Sequence, residues 1–332
     1  MGSEMCIRDR GYTAWVTIQI GCDNSCAFCI VPAVRGPEIS KPFDRLVEEV
    51  RVLAGEGVTE ITLLGQNVNS YGRDLALAQR RAGAQVRVRP LFADLLRAVG
   101  AVDGIHRVRY TSPHPKDLRP ETIAAMAETP AVCEHLHLPL QAGSDRVLAA
   151  MHRGYTADRY LARLRAARAG VPDLAVTTDI IVGFPGETDD DFERTLEVVA
   201  EAGYDSAYTF IYSPRPGTEA AERPEEFVPA EVTAERFARL TAVVERSARL
   251  RHEARVGRTE EVVIEGRSRD PAEATGRTRQ NKLVHFPAEP MRPGTYATVQ
   301  VTDAGPHHLR GDLVGRTAAA RHRTRIAVTA GP

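Results

Sequence analysis

The stretch Gly21-Cys-Asp-Asn-Ser-Cys-Ala-Phe-Cys-Ile-Val-Pro32 sets three cysteines, Cys22, Cys26 and Cys29, in one short polar loop. Thiolates this close together typically bind a metal centre. A structural zinc site closes its tetrahedron with four ligands, usually as two pairs, and no second pair follows. Three soft ligands favour a 4Fe-4S cluster whose fourth iron stays open to a substrate or cofactor. Cysteines that only pack in a core are disfavoured by the polar residues between them.

The other two cysteines, Cys6 and Cys133, stand alone, and the total of five is odd. Disulfides are therefore not expected, and with no signal peptide the cysteines indicate a reducing cytoplasm. The 332 residues, 43% hydrophobic and 26% charged, are typical of a soluble chain of two domains. No apolar run approaches a membrane span, and the net charge of −1 neither favours nor excludes nucleic acid.

Strand-like and helix-like segments alternate from residue 14 to residue 212. Strands are predicted at 14–20, 59–64, 106–110, 135–140, 176–182 and 206–212, and helices at 43–54, 91–99, 120–127, 144–151, 157–169 and 189–202. Six parallel strands in right-handed β–α units form a curved sheet that closes only part of a barrel. The predicted fold class is therefore α/β, a partial (β/α)6 barrel with its chemistry at the carboxyl ends of the strands.

Polar side chains follow several of these strands and are candidate cofactor contacts: Gln66, Asn67, Gln141, Ser144 and Asp179. The first two carry amides beside a glycine that lets the backbone come close, although a turn without function explains them equally well. Asp179 can bond a ribose hydroxyl, or it is an inward structural carboxylate. His114 and His137 reach the same rim, but a lone histidine is usually a satisfied core or surface group. No catalytic side chain is assigned beyond the cluster ligands.

The composition changes after Pro214-Arg-Pro-Gly217. A long helix is predicted at 230–252, followed by strands at 261–265, 275–278, 283–286, 295–302 and 309–314. Five short strands broken by glycine and proline predict a small closed barrel. The expected organisation is an atypical leader at 1–11, the partial barrel at 12–228, a linking helix at 229–256, the small barrel at 257–318 and a tail at 319–332.

Five motifs in a fixed order carry a resemblance to a known family. They are the cysteine stretch, Leu63-Leu-Gly-Gln-Asn-Val-Asn-Ser-Tyr-Gly72, Ser112-Pro-His-Pro115, His137-Leu-Pro-Leu-Gln-Ala-Gly-Ser-Asp145 and Asp179-Ile-Ile-Val-Gly-Phe-Pro-Gly-Glu-Thr188. On these motifs the chain resembles the methylthiotransferases of the radical S-adenosylmethionine (SAM) superfamily over residues 11 to 317. The departures are small, since the family usually has serine at Ala142 and a basic or aromatic residue near Ala33 and Val34.

The resemblance implies a 4Fe-4S cluster on the three cysteines, with SAM bound to the open iron through its amino and carboxylate groups. It implies that reductive cleavage of SAM yields a 5′-deoxyadenosyl radical. It further implies methylthiolation of the adenine ring of an isopentenylated adenosine beside the tRNA anticodon. Alternatives within the family are threonylcarbamoyl-adenosine of tRNA and a ribosomal protein aspartate. An alternative of another class is a non-catalytic RNA-binding fragment with a structural iron–sulfur centre.

The small barrel resembles a TRAM domain, an RNA-binding module of OB-like shape, on Thr275-Gly-Arg-Thr-Arg-Gln-Asn-Lys-Leu-Val-His-Phe286. Phe286 ends an alternating strand and is expected in the core, while His285 is a candidate for base stacking. The resemblance favours RNA contacts over a merely solvated basic face. The candidate phosphate-binding residues are Arg277, Arg279, Lys282 and Arg310.

The family also carries an N-terminal domain whose three cysteines bind a second 4Fe-4S cluster. Only Cys6 precedes the first predicted strand, and Cys133 is expected to pack rather than bind iron. We therefore expect one cluster on this chain, cleavage of SAM, and no sulfur insertion by this chain alone. The implied partners are the tRNA anticodon stem-loop and a flavodoxin- or ferredoxin-type electron donor. A cytoplasmic monomer without membrane association is expected.

Overall fold

The computed structural model describes residues 7–268 and 270–319. Cys6 and the rest of the predicted leader up to it, and the tail beyond residue 319, lie outside the described residues. The strands of the larger part are β1 Ile7–Arg10, β2 Thr13–Thr17, β3 Gln19–Ile20, β4 Ile39–Ser40, β5 Glu60–Leu64, β6 Arg107–Tyr110, β7 His135–His137, β8 Ala175–Val182 and β9 Ser206–Ile211. Its helices are α1 Val31–Arg35, α2 Phe43–Gly55, α3 Arg73–Arg81, α4 Phe92–Gly100, α5 Pro120–Glu128, α6 Asp145–Ala150, α7 Ala157–Gly170, α8 Asp189–Ala202 and α9 Ala230–Glu253.

Six parallel strands form the predicted partial barrel. β2, β5 and β6 pair in parallel, and so do β7, β8 and β9. A parallel bridge between Val108 and Val132 links the two halves, supported by a hydrogen bond from Cys133 N to Val108 O of 3.0 Å. β1 adds an antiparallel strand beside β2. The α/β fold class is therefore confirmed, and its strands end at one rim.

The strand and helix patterns explain why these segments pack as they do. In β8 the buried residues include Val176, Thr178 and Ile180, whereas Thr177 and Asp179 are partly exposed toward the barrel interior. This alternation is the period of a strand with two different faces. The predicted strand at 135–140 ends earlier, at His137, because Pro139 has no N–H to donate to the ladder.

Two helices were not predicted, and each has a local reason. α1 is only five residues long, with Pro32 in its first turn, which is too short for hydrophobic periodicity. α3 is strongly polar and buries only Ala76. None of the helices in the described ranges is long and apolar enough to cross a membrane.

The C-terminal part is a closed barrel of five strands in the order β10-β11-β12-β14-β13. The strands are β10 Thr259–Arg267, β11 Glu273–Thr278, β12 Leu283–Pro287, β13 Tyr296–Ala304 and β14 Leu309–Ala318. Val262, Val284 and Val299 form its core together with Phe286, which is fully buried. The prediction of a small all-β barrel is confirmed, and so is the core position of Phe286.

Candidate cluster and cofactor site

The three cysteines lie on the loop between β3 and α1, at the carboxyl ends of the strands. Each is half-buried, and the four cysteines that the structure describes are all free. Cys22 N donates to Gly36 O at 3.1 Å, and Cys29 N donates to Cys26 O at 3.0 Å. Cys133 is 2% exposed and packs in the core, as expected. The loop thus presents three thiols with a fixed backbone.

The donor set fits a cluster better than a single ion. Among the described residues, no three His, Cys, Asp or Glu side chains gather around one point that could hold a metal ion. A cubane cluster does not require its three cysteines to meet at one point, because each of them binds a different iron. Burial raises the pKa of the Cys22 thiol, and the Asn24 amide lies 3.4 Å from its sulfur. The raised pKa disfavours the free thiolate, so iron would have to displace the proton of Cys22 when it binds.

A cleft of about 310 Å³ opens beside Cys29. Its walls are Phe28, Cys29, Gln141, Asp179, Ile181, Phe210, Ile211, Tyr212, Ser213 and Arg215. Two of the predicted cofactor contacts, Gln141 and Asp179, thus face the same space as a cluster ligand. Gln141 has a left-handed backbone, with φ of 69°, and its buried side-chain oxygen has no hydrogen-bond partner. An orphaned buried acceptor is expensive, so it indicates a donor supplied by a ligand.

Gln66 and Asn67 lie at the end of β5 but do not line this cleft. The Asn67 amide donates to Asp117 Oδ2 at 2.9 Å, while its own side-chain oxygen is buried and unpaired. The side-chain oxygen of Gln66 is also unpaired. Glu38 completes the group by accepting from Ser70 Oγ at 2.7 Å, and burial raises the pKa of its carboxyl group. These polar groups border the cysteine loop on its other side.

Ser144 caps the start of α6. Its hydroxyl accepts from Val147 N at the start of α6 and donates to Asp191 Oδ1 at 2.5 Å. The residue is 5% exposed and is not part of the cleft wall. Both hydrogen-bonding directions of the hydroxyl are thus used inside the protein, and a cofactor contact of Ser144 stays a prediction.

The two histidines lie in different surroundings. His114 is buried, its Nδ1 accepts from Lys116 N at 3.2 Å, and burial lowers its pKa to about 2. His137 contacts Thr177 Oγ1 at 3.0 Å and Asp179 Oδ2 at 3.3 Å. His114 is therefore a neutral core residue, whereas His137 orients a carboxylate that reaches the cleft.

Arg153 is a residue of the site that the sequence pattern did not indicate. It follows α6, is 5% exposed, and its Nη1 lies 3.3 Å from the Cys26 sulfur. Its Nε donates to the Tyr155 hydroxyl at 3.1 Å. The only local signal is Gly154, which marks a turn. Nothing in the local sequence indicates that this turn faces the cysteine loop.

All four predicted phosphate contacts pair with a carboxylate. Arg279 pairs with Glu134 at 2.7 Å, and the buried Lys282 pairs with Asp205 at 2.7 Å. Arg277 pairs with Glu265 at 2.8 Å. Only Arg310 has a largely exposed side chain, beside Glu273. The ammonium group of Lys282 is buried between the two barrels, and Arg279 lies at the same contact. RNA contacts of these two residues stay a prediction.

Comparisons with known proteins agree with this architecture. The model of the Radical SAM superfamily matches residues 16–199, and the TRAM domain model matches residues 253–314. The first match covers more than half of the chain, so the chain belongs to the radical SAM superfamily. The superfamily's 4Fe-4S cluster and SAM fit the three cysteines and the adjacent cleft, with Gln141 offering the unpaired acceptor.

Two curated relatives carry the same name, tRNA-2-methylthio-N(6)-dimethylallyladenosine synthase, one of them numbered 1. The protein of Mycobacterium marinum is 50% identical over 315 residues, covering 92% of this chain and 59% of the relative. That of Acidothermus cellulolyticus is 52% identical over 311 residues, covering 92% and 60%. The chain thus spans about three fifths of the length of these relatives. A solved radical SAM methyltransferase from Kitasatospora setae is 17% identical, with a TM-score of 0.49 over 62% of this chain and 35% of that one.

Proposed function

We propose that this chain acts in the methylthiolation of an isopentenylated adenosine beside the anticodon of tRNA. The observation that carries the proposal is the cysteine loop opening onto the cleft of Gln141 and Asp179 at the strand ends. Both relatives named above are synthases of this class, and the TRAM match supports an RNA substrate. In the superfamily, SAM at a reduced cluster supplies a 5′-deoxyadenosyl radical.

The roles of the chain's own residues follow from their positions. Cys22, Cys26 and Cys29 hold the cluster, and Gln141 accepts a hydrogen bond from SAM with the oxygen that lacks a protein partner. Asp179, held by His137, binds a ribose hydroxyl of the same ligand. The apolar wall of the cleft around Phe28 excludes water from a reactive intermediate.

The RNA contacts and partners belong to the same proposal. Arg310 contacts a phosphate from the exposed side of the small barrel, near His285 and His308, whose rings are 5.2 Å apart. Arg277 is half-buried and contributes only if its pair with Glu265 opens. A flavodoxin- or ferredoxin-type protein donates the electron, and the chain works as a cytoplasmic monomer. Free thiols at all four described cysteines are in keeping with that compartment.

The test is hydrogen abstraction from the adenine ring, which requires no sulfur insertion. The reconstituted chain is incubated with SAM, dithionite and an anticodon stem-loop whose isopentenyladenosine carries deuterium at C2. We expect deuterium in the 5′-deoxyadenosine product. Because one hydrogen atom is transferred in each event, each product molecule carries at most about one deuterium atom. The same stem-loop with unmodified adenosine is the control for substrate choice. Product without deuterium from either RNA contradicts the proposed substrate while leaving SAM cleavage intact.

A further inference from the structure

The segment Met151–Tyr155 wraps the cysteine loop through three successive residues. Met151 O accepts from Ala27 N at 3.2 Å, and His152 Nδ1 donates to Ser25 O at 2.9 Å. Arg153 Nη1 then reaches the Cys26 sulfur at 3.3 Å. The segment therefore follows the middle cysteine of the loop residue by residue.

The backbone of this segment is shaped for that contact. His152 has a φ of 57° and Gly154 a φ of 68°, so two left-handed residues flank Arg153. A left-handed conformation is disfavoured at a non-glycine residue such as His152. The left-handed backbone of His152, next to the buried arginine, indicates that the surrounding structure fixes the course of this segment.

The charge of Arg153 is buried without a carboxylate. Its hydrogen bonds go to the Tyr155 hydroxyl, to Pro139 O at 3.4 Å and to the Cys26 sulfur. Among the described residues, no carboxylate forms an ion pair with it, whereas the buried Arg236 pairs with both Glu187 and Asp189. Burying a cation is costly unless an anion compensates it. The Cys26 sulfur, as a thiolate bound to iron, is the group in contact that can carry negative charge.

We propose that Arg153 is a positioning residue for the cluster, whose guanidinium binds the sulfur of Cys26 and stabilises the one-electron-reduced cluster. Net charge and hydrogen bonds to the sulfurs set the reduction potential of an iron–sulfur centre. Reduction adds one electron, which dithionite supplies in the test, and no bond is broken. A fixed positive charge beside a ligand favours the state with more negative charge. Arg153 therefore raises the midpoint potential.

The experiment is a redox titration of the reconstituted chain, followed by the electron paramagnetic resonance of the reduced cluster. We expect Arg153→Gln to retain about four irons per chain and to shift the midpoint potential to a more negative value. Arg153→Lys keeps the charge and is expected to shift less. Arg165→Gln, at an exposed arginine of α7 that pairs with Glu201, is the matched control and is expected to leave the potential unchanged. An unchanged potential in Arg153→Gln with full iron overturns the proposal.

The lysine variant decides the case in which Arg153→Gln does not fold or loses iron. Four irons and a potential close to that of the wild type in Arg153→Lys then support a requirement for positive charge at Cys26. Loss of iron in the lysine variant as well, or a full cluster with a strongly lowered potential, contradicts it. The measurement involves no RNA, so its outcome is independent of the proposed substrate.

Discussion

Gly21 precedes the first cluster ligand and leaves no room for a side chain. Its φ is 76°, and a Cβ placed on it would lie 1.9 Å from Pro37 O. Gly36 has a similar φ of 72°, but a Cβ there meets nothing within 4 Å. Gly21 therefore combines backbone strain with steric overlap, whereas Gly36, which follows α1, has the backbone strain alone.

We predict that Gly21→Ala lowers the iron content of the reconstituted chain well below that of Gly36→Ala. Both variants bear the left-handed cost of about 1–2 kcal/mol, but only the first must also move the backbone at Pro37. Iron analysis and thermal unfolding measure the difference. Equal iron content in the two variants would show that the close approach at Gly21 is unimportant.

Burial of His114 makes the free energy of unfolding depend on pH. Burial lowers its pKa to about 2, from an ordinary value of 6.5, with Arg153, Lys116 and Arg163 adding to the effect. The unfolded chain therefore binds more protons at this site between those two values, so the free energy of unfolding falls as pH decreases below 6.5. We expect His114→Gln to reduce the slope by up to about 1.4 kcal/mol per pH unit in that window.

Urea unfolding at several pH values between 7 and 5 measures this slope. Part of it remains in the variant, because burial also lowers the pKa of His135 to about 3 and that of His252 to about 4. A slope identical to that of the wild type contradicts the assignment of His114 as a buried neutral group.

At the scale of elements, the start of α8 connects helix capping to the cofactor cleft. Thr188 and Asp191 form a reciprocal capping box, with Thr188 Oγ1 donating to Asp191 Oδ2 at 2.6 Å. The same carboxylate accepts from Ser144, three residues after Gln141. This cap therefore also supports the loop that carries a wall residue of the cleft.

We predict that Thr188→Ala destabilises the fold more than Thr156→Ala. Thr156 caps α7 through a single bond from Arg159 N at 3.3 Å, without a reciprocal partner. Loss of a threonine cap costs about 1 kcal/mol, and values near 2 kcal/mol occur when the cap is well connected. Chemical denaturation compares the two variants, and a smaller loss for Thr188→Ala would contradict the prediction.

Some helices, strands and site residues could be predicted from the sequence, and others could not. Hydrophobic periodicity predicted β5, β8, α2 and α8 close to their observed bounds, because a buried face repeats along each of these elements. The cysteines were predictable since their spacing is local. Arg153 and Glu38 were not, because each reaches the loop through the tertiary fold. The capping role of Ser144 was not predicted, because a helix cap and a cofactor contact favour the same residue type.

At the scale of the whole molecule, buried charges join the two barrels. Arg109 of β6 donates to Arg279 O at 2.9 Å and to Thr278 O at 2.8 Å, and its Nε lies 3.3 Å from Glu60. Arg107, which is fully buried, donates to Arg277 O at 2.7 Å. The small barrel is thereby fixed against the strand ends opposite the cysteine loop. Lys282 is part of this contact between the two barrels. The basic motif in which it lies does not indicate that it is buried there.

We predict that Arg109→Met lowers the free energy of unfolding by about 3–5 kcal/mol, because it leaves the buried Glu60 carboxylate with only the longer contact to Arg107, at 4.0 Å. Arg165→Met removes an exposed pair and is expected to cost less than about 1 kcal/mol. Urea unfolding of the whole chain measures both. A loss at Arg109 as small as that at Arg165 would mean that the two barrels do not depend on this contact.

The central claim is that Cys22, Cys26 and Cys29 support reductive cleavage of SAM. The most direct measurement is anaerobic reconstitution with iron and sulfide, reduction with dithionite in the presence of SAM, and quantification of 5′-deoxyadenosine. We predict product from the wild type and none above background from Cys26→Ala. A wild-type chain that carries about four irons yet forms no 5′-deoxyadenosine would contradict the claim and favour a structural iron–sulfur centre.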